Sequence, residues 1–417
     1  MSTSWLSLED ALIKARATAH AVIDVEYVSL AKAHRRVVVE DIIASTNVPP
    51  WDNSSMDGYA IHVTAESSSL ANDNTKATDS SGKTFTVQGV ITAGDRATTP
   101  LHSEHAYKIM TGAPIPQGAN AVVMVENTSS SDANTVTVHT LPTAGENIRV
   151  KANDIASGEV LIKKGTLLRA EHLMLLSSQG LNTLPVYRKL RVGIVATGNE
   201  LAAPGEVCSD TQIFESNRAG ISAIVEDENV EIIDFGIVKD DKASLSDLFH
   251  QASNTVDIII SSGGVSVGDA DYVKDVIDSM GSIEFWKIAV KPGKPFALGK
   301  LDDTVFCGLP GNPVSSFVTA KLLVLPIIRK MQGRQDDLGL FTVTATLTKD
   351  IKRRPGRRDF QRALMSTDTQ GNLVVTPLKN QSSGVMTSIT SANCFMVVHE
   401  ELAELNKGDA IPVIPFT

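Results

Sequence analysis

The sequence predicts a multidomain protein: β-rich N-terminal domains, a parallel α/β domain, and a small C-terminal β-barrel or sandwich. Three observations carry this. At 417 residues the chain has room for two to four domains of roughly 100–200 residues each. Residues 188–332 alternate nearly continuous apolar runs with stretches of helical periodicity, the pattern of a parallel sheet covered on both faces. The segments on either side consist of short alternating strands broken by turns, which is β-domain patterning.

Taken in order, the chain opens with a helix. Ser7 is placed to N-cap it, Asp10 follows three residues later, and Leu8, Ala11, Leu12 and Ala15 form its apolar stripe. Valine-rich Arg36–Ile43 predicts a strand, followed by Pro49-Pro50 and the turn-rich run Trp51–Gly58. Further strands are predicted at Thr84–Ile91, Tyr107–Thr111, Ala121–Glu126 and Thr135–His139. Two polar inserts, Glu66–Gly82 and Asn127–Asn134, predict surface hairpin loops.

The α/β region begins with strand Leu190–Ala196. A helix over Asn217–Glu228 carries Ile221, Ile224 and Val225, with Ser216 as its N-cap. Strand Val230–Phe235, helix Ala243–Ser253, strand Val256–Ser261 and a helix after Asp271 follow. Strands Ile283–Val290 and Thr304–Cys307 and helix Val314–Lys330 complete it. In the tail, strands are predicted at Leu340–Leu347, Phe360–Ala363, Leu373–Pro377, Cys394–His399 and Ala410–Ile414.

Composition narrows the partners. A net charge of −10 gives no global attraction to nucleic acid or to an anionic membrane. Any anion must therefore meet a local basic pocket. Cys208, Cys307 and Cys394 are too far apart for a zinc or disulfide framework and suit a reducing compartment. With no basic-then-apolar leader and no apolar run of about 18 residues, the expectation is a soluble, cytoplasmic protein.

The densest chemistry lies at 257–313. The apolar strand Asp257–Ser262 runs into Gly263-Gly264-Val265-Ser266-Val267-Gly268-Asp269-Ala270-Asp271-Tyr272. A strand, a glycine loop and a helix start let backbone N–H groups approach an anion. The string is neither a phosphate-binding loop of the G-x-x-x-x-G-K-[ST] type nor a dinucleotide fingerprint. Ligands of parallel sheets bind at C-terminal strand ends, which here gather Thr197-Gly198-Asn199-Glu200, Gly263-Gly264 and Gly308-Leu309-Pro310-Gly311 on one rim.

Around this rim each motif has two readings. Thr197 and Glu200 either hold Mg²⁺ or a substrate hydroxyl, or cap a helix in solvent. Asp240-Asp241 implies a local cation or a solvated turn. Lys287, Lys291 and Lys294, with Pro292 and Pro295 fixing the backbone, form an aimed cation cluster or a solvated edge strand. Asp57 in the turn-rich run, Thr111-Gly112-Ala113-Pro114, and Arg149 with Asp154 are weak signals individually. The basic run Lys349, Lys352, Arg353, Arg354, Arg357, Arg358 and Arg362 neutralises phosphate or decorates a surface hairpin. With Phe360 as its one interleaved aromatic it argues against nucleic acid.

Seven strings occur in order: Ser55–Ala60, Ile109–Pro114, Asn147–Arg149, Thr197–Leu201, Gly263–Tyr272, Lys291–Phe296 and Gly308–Pro313. In this the chain resembles, along nearly its whole length, the molybdopterin molybdenumtransferases, known as MoeA in bacteria and as the E domain of gephyrin in animals. The resemblance implies an L-shaped homodimer of four-domain subunits. Residues 1–50 and 141–187 would form an elongated discontinuous domain, 51–140 an inserted β domain, 188–332 the α/β molybdopterin-binding domain and 338–417 a β-barrel.

It further implies that molybdate and adenylylated molybdopterin react, with Mg²⁺, to give molybdenum cofactor and AMP at sites between subunits. Asp57, Thr111, Asp154, Glu200, Asp240 and Asp271 are then catalytic, and Glu200, Asp240 and Asp271 hold the metal. Arg149, Thr197, Gly263, Gly264, Ser266, Lys287, Lys291, Lys294, Pro310, Pro313, Arg357 and Arg362 bind substrate. Implied partners are a molybdopterin adenylyltransferase and apo-molybdoenzymes. Two departures stand out: Ala152-Asn153-Asp154 replaces the family's Gly-Glu-Asp, and Glu215 stands where Asp is commoner. A molybdopterin adenylyltransferase would be a much shorter, single-domain chain. A non-catalytic molybdopterin-binding scaffold would lack an acidic or lysine position, and none is missing.

Overall fold

The computed structural model describes residues 5–64, 82–265, 272–335 and 339–416. The chain divides into two compact units, one formed by 41–162 and the other by 1–40 with 163–417.

The larger unit starts with α1 (Leu8–Thr18). The Asp10 N–H donates to Ser7 Oγ at 3.0 Å, the expected cap, and Glu9 and Asp10 complement the positive helix end. Its Ala11 and Ala15 are fully buried in the same cluster as Val192 and Ile194 of the α/β sheet. β1 (Val25–Ser29) follows. The strand expected over Arg36–Ile43 shrinks to Ile42–Ile43. Val37 and Val38 bridge to different neighbours, Leu167 and Val186. Between β1 and these bridges, Arg36 turns inward to pair with Glu26 and donate to Tyr187 O. With no single partner running alongside, a continuous ladder cannot form.

In the 41–162 unit, β2 (Gly58–Ile61), β3 (Lys83–Ile91), β4 (His105–Ile109), β5 (Ala121–Met124), β6 (Thr128–Asp132) and β7 (Thr135–Val138) form one sheet. Their order is β5-β2-β4-β3-β7-β6, with β3 and β4 parallel. Side chains alternate between two cores, as strand geometry requires. Tyr59, Ile61, Phe85 and Val123 fill one, and Ala60, Tyr107, Ile109 and Val122 the other. Asn127–Asn134, expected as a loop, instead supplies β6, which pairs with β7 through Thr128↔Val138 and Ser129↔Thr137. An edge strand needs no apolar side chains, so its composition gave no strand signal. The other polar insert, apart from Gly82, lies outside the described residues.

Returning to the larger unit, α2 (Ala170–Ser178) leads to β8 (Thr183–Tyr187), which pairs antiparallel with β1. The α/β region comprises β9 (Arg191–Thr197), α3 (Asn217–Glu226), β10 (Glu231–Val238), α4 (Lys242–Ser253), β11 (Ile258–Ser262) and α5 (Tyr272–Met280). It continues through β12 (Gly281–Lys287), β13 (Val290–Lys291), β14 (Pro295–Leu301), β15 (Thr304–Leu309), α6 (Pro313–Thr319) and α7 (Leu325–Met331). The sheet order is β10-β9-β11-β15-β14-β12. The first four strands are parallel; β14 runs antiparallel to β15, and β12 antiparallel to β14.

Strand β14 was not visible in the proline-punctuated lysine motif. It forms because Phe296 and Leu298 bury in the core and Asp302, at φ +51°, turns the chain tightly into β15. Alternating residues feed two cores. Val192, Ile194, Ile258, Ile260 and Cys307 face α1, α3, α6 and α7, whereas Val195, Ile259 and Phe306 face α4 and α5. Between α6 and α7 the helical run widens into a π-helical stretch, Ala320–Val324, just ahead of Pro326, whose missing N–H breaks the regular ladder.

The tail closes into a five-stranded barrel of β16 (Val343–Leu347), β17 (Arg358–Thr367), β18 (Leu373–Pro377), β19 (Cys394–Val398) and β20 (Ala410–Pro415). Their order is β17-β18-β16-β20-β19, closed by β19 on β17. Ala345, Leu347, Val375, Met396 and Val413 fill its interior. β13 pairs in parallel with β17, setting Lys291 opposite Asp359. Among the described residues no helix is long and apolar enough to cross a membrane.

Candidate functional site

The C-terminal ends of β9, β11 and β15 surround a cavity of about 500 Å³, with Thr197, Glu200, Asp240, Gly263, Pro310 and Pro313 in its wall. Its floor is backbone. Gly263 and Gly264 sit at φ +90° and +67°. A Cβ at 263 would lie 2.4 Å from Thr197 O, and one at 264 would lie 2.7 Å from Thr197 Oγ1. Only glycine lets the loop lie this close to β9 in that conformation. Asn217 ties the strand ends together, its Nδ2 donating to Ser262 Oγ at 2.7 Å and Gly311 O at 2.8 Å.

Ser216, expected as the N-cap of α3, makes no side-chain cap. The buried Glu215 does that work. Its Oε1 accepts from the N–H groups of Asn217 (2.6 Å) and Arg218 (2.9 Å), and its Oε2 from Arg218 Nε (3.2 Å). The longer Glu reaches the helix terminus from one residue further out, so the departure from Asp is structural in effect.

Glu200 and Asp240 both line the cavity. Burial raises the Asp240 pKa, and the Glu200 and Asp241 charges push it further. Asp240 Oδ1 is buried and has no hydrogen-bond partner among the described residues; nor has Thr197 Oγ1. Asp241 behaves differently. It N-caps α4, accepting from the Ser244 N–H and hydroxyl at 2.9 Å each, and these bonds lower its pKa. The two adjacent carboxylates are thus split between a helix cap and the cavity. An orphaned, like-charge-crowded Asp240 beside Glu200 is a donor set that fits a hard divalent cation. Asp271, the expected third ligand, and Ser266 lie outside the described residues. Among the described residues no three His, Cys, Asp or Glu side chains gather in a metal-binding group.

The lysines follow the antiparallel edge. Lys287 ends β12, Lys291 lies on β13, and Lys294 immediately precedes Pro295, which lines the cavity. Lys291 Nζ lies 3.2 Å from Oδ2 of the buried Asp359, a partner the sequence reading missed. In the basic run, Lys349, Lys352 and Arg354 are exposed, whereas Arg353, Arg357, Arg358 and Arg362 make contacts within the protein. Arg353 donates to the carbonyls of Val398, His399 and Arg357, and Arg358 pairs with Glu9 and Glu400. Arg357 Nη1 donates to Val290 O at 3.3 Å. Arg362 is wholly enclosed; it donates to Ser388 Oγ and Ser382 O, while its Nη1 has no partner among the described residues. Burial lowers its pKa, against the opposing effect of Asp359.

In the 41–162 unit, Asp57 and Thr111 come together. Asp57 Oδ1 accepts from the Thr111 N–H at 2.7 Å and its hydroxyl at 2.8 Å, and these bonds lower the carboxyl pKa. Gly58 follows because a Cβ there would meet Val123 O at 1.8 Å. Arg149 is exposed on the Ile148–Arg149 strand, which pairs with Asn53–Ser54. Asp154 is exposed, its N–H donating to Val48 O at 3.0 Å. Ala152 adopts φ +62°, the conformation for which the family's glycine is suited.

Comparison with known proteins gives matches along the chain. Residues 6–180 match a family model for the MoeA N-terminal region (domains I and II), 193–330 a probable molybdopterin binding domain, and 344–416 the MoeA C-terminal region (domain IV). A molybdopterin molybdenumtransferase of Haemophilus influenzae is 39% identical over 391 residues, 94% of each chain. Molybdopterin molybdenumtransferase 2 of Mycobacterium tuberculosis is 33% identical over 94% of this chain and 95% of its own. The crystal structure of a molybdopterin biosynthesis MoeA protein from Pyrococcus horikoshii superposes with a TM-score of 0.84 at 28% identity, covering 99% of this chain and all of the other.

Proposed function

We propose that this chain, which belongs to the family of molybdopterin molybdenumtransferases, inserts molybdenum from molybdate into adenylylated molybdopterin and releases AMP. The observation that carries this is the Asp240 carboxylate, orphaned beside Glu200 at the edge of a glycine-floored cavity. Such a wall suits a substrate that brings both a pyrophosphate and a cation.

The chain's own groups have distinct tasks in this reading. Backbone at Gly263 and Gly264 approaches the phosphates. Thr197, with its unsatisfied hydroxyl, orients a substrate oxygen, and Pro310 and Pro313 shape the cavity wall. Lys287, Lys291 and Lys294 draw the anions, and Arg149 and Arg357 add positive charge, while Arg362, wholly enclosed, is held by Ser382 and Ser388. Glu200 and Asp240, with Asp271, hold Mg²⁺, which when bound neutralises charge on the phosphoanhydride as it breaks. Asp57, kept ionised by Thr111, and Asp154 are presented by a second copy of the chain, so that the working unit is a homodimer. The substrate comes from a molybdopterin adenylyltransferase, and the product passes to apo-molybdoenzymes, in the cytoplasm.

The test is AMP release by the purified protein from adenylylated molybdopterin with Mg²⁺ and molybdate. Molybdate-dependent AMP, together with activation of an apo-molybdoenzyme, is the expected result. Substrate binding without AMP would overturn the enzyme reading in favour of a molybdopterin-binding scaffold.

A further inference from the structure

Trp5 stands outside every motif above, yet two of the expected anion-binding cations converge on it. Lys294 Nζ lies 4.4 Å from the centroid of its indole ring, and the Arg357 guanidinium carbon lies 5.7 Å from the same centroid. Both distances fall within cation–π range. Among the described residues Lys294 makes no ion pair, unlike Lys291, which is held by Asp359.

The backbone next to Trp5 is fixed by pairing. Leu6 bridges in parallel to Ile288; its N–H donates to Lys287 O at 3.4 Å, and its carbonyl accepts from the Ala289 N–H at 2.7 Å. The Ile288 N–H in turn donates to Lys294 O at 3.1 Å. Arg357 closes the arrangement by donating to Val290 O. One short N-terminal segment therefore braces the loop that carries all three lysines and places an aromatic ring against two cations. The negative ring face attracts both cations.

We propose that Trp5 is a positioning residue that holds Lys294 and Arg357 as a pair for a tetrahedral oxyanion. The proposal rests on the molybdenum-insertion reading above. The oxyanion is either free molybdate, a dianion, or one phosphate of the adenylylated pterin's pyrophosphate, which carries a single charge; both present tetrahedral oxygens to the two cations. Trp5 touches neither; it acts through the two cations.

The experiment compares wild type, Trp5→Leu and Trp5→Phe in the AMP-release assay, varying molybdate and adenylylated molybdopterin separately. For Trp5→Leu we expect KM for one of the two to rise about three- to tenfold, with kcat at saturation within about twofold. Trp5→Phe, which keeps an aromatic face, should restore most of the loss. A rise in the molybdate KM identifies the free oxyanion, and a rise in the other KM identifies the substrate phosphate. Where the molybdate KM rises, molybdate should also quench wild-type tryptophan emission more than that of Trp5→Phe. Unchanged KM values in a folded, active Trp5→Leu protein overturn the proposal, as does a fall in kcat alone that tracks a lower Tm. If wild type itself releases no molybdate-dependent AMP, the insertion reading fails first and this inference with it.

Discussion

Thr111 donates both its N–H and its hydroxyl to a single oxygen of Asp57, at 2.7 and 2.8 Å. Two donors on one oxygen favour the charged carboxylate, so the Asp57 pKa falls below its usual value. The folded pKa is then lower than the unfolded one. The stabilisation this brings is present above the unfolded pKa and is lost as pH falls through the folded pKa. Thr111→Val removes the side-chain donor and keeps the N–H. It should move the Asp57 titration upward, toward the ordinary carboxylate range, as read by carboxyl NMR. Asp57→Ala should abolish AMP release while leaving the oligomeric state unchanged in light scattering. Turnover at the wild-type level in that variant would remove Asp57 from the site.

Asp240 has the opposite sign. Burial first, then Glu200 and Asp241, raise its pKa. A raised carboxyl favours the folded state at low pH, and that contribution is lost as pH rises through the folded pKa. Asp240→Asn should therefore raise Tm at neutral pH without Mg²⁺. Adding Mg²⁺ should raise the wild-type Tm and leave the variant nearly unmoved, since ligand binding to the native state alone stabilises it. Thermal melts with and without Mg²⁺ settle this, and an equal Mg²⁺ response in both proteins would exclude Asp240 as a ligand.

Gly264 has no room for a side chain. At φ +67° a Cβ would lie 2.4 Å from Val273 Cγ2 as well as close to the Thr197 hydroxyl. Gly264→Ala should cost about 1–3 kcal/mol in denaturant unfolding and weaken substrate binding by displacing the loop. Ala152 is the reverse case, a side chain held at φ +62°. Ala152→Gly should relieve strain and stabilise the protein by about 1 kcal/mol; a destabilisation would show that the Ala152 methyl group contributes packing.

How far the sequence carried depended on whether the deciding physics was local. The helix at Leu8 and the glycine loop after Ser262 were legible, because a cap, a periodicity and a positive φ each leave their mark within a few residues. β14 and β6 were not, since one opens on a proline with a glycine in its middle and the other is a polar edge strand. Nor could spacing reveal long-range pairings. Glu228, read only as the end of a helix, is buried between Arg329 and Arg334, about a hundred residues away in sequence. At the rim, Asp240-Asp241 read as one unit, but a helix cap claimed Asp241 and left Asp240 to face the cavity beside Glu200.

Asp359 is the pairing with the most consequence for the lysines. Only 1% of its side chain is exposed, and its Oδ2 accepts from Lys291 Nζ and Gln361 Nε2, each at 3.2 Å. Arg353 Nε approaches the same oxygen at 4.0 Å. Replacing it with Asn removes a buried charge whose hydrogen bonds are charge-assisted, so Asp359→Asn should cost about 2–3 kcal/mol of stability. Its effect on anion binding opposes that loss. Lys291 Nζ now shares its charge with a carboxylate 3.2 Å away; without that carboxylate, the ammonium offers its full charge to an incoming anion. The expected outcome is a lower KM for molybdate in a less stable protein, with a steeper dependence on ionic strength. A higher KM at unchanged Tm would mean instead that Asp359 serves to aim Lys291, and that direction outweighs charge at this position.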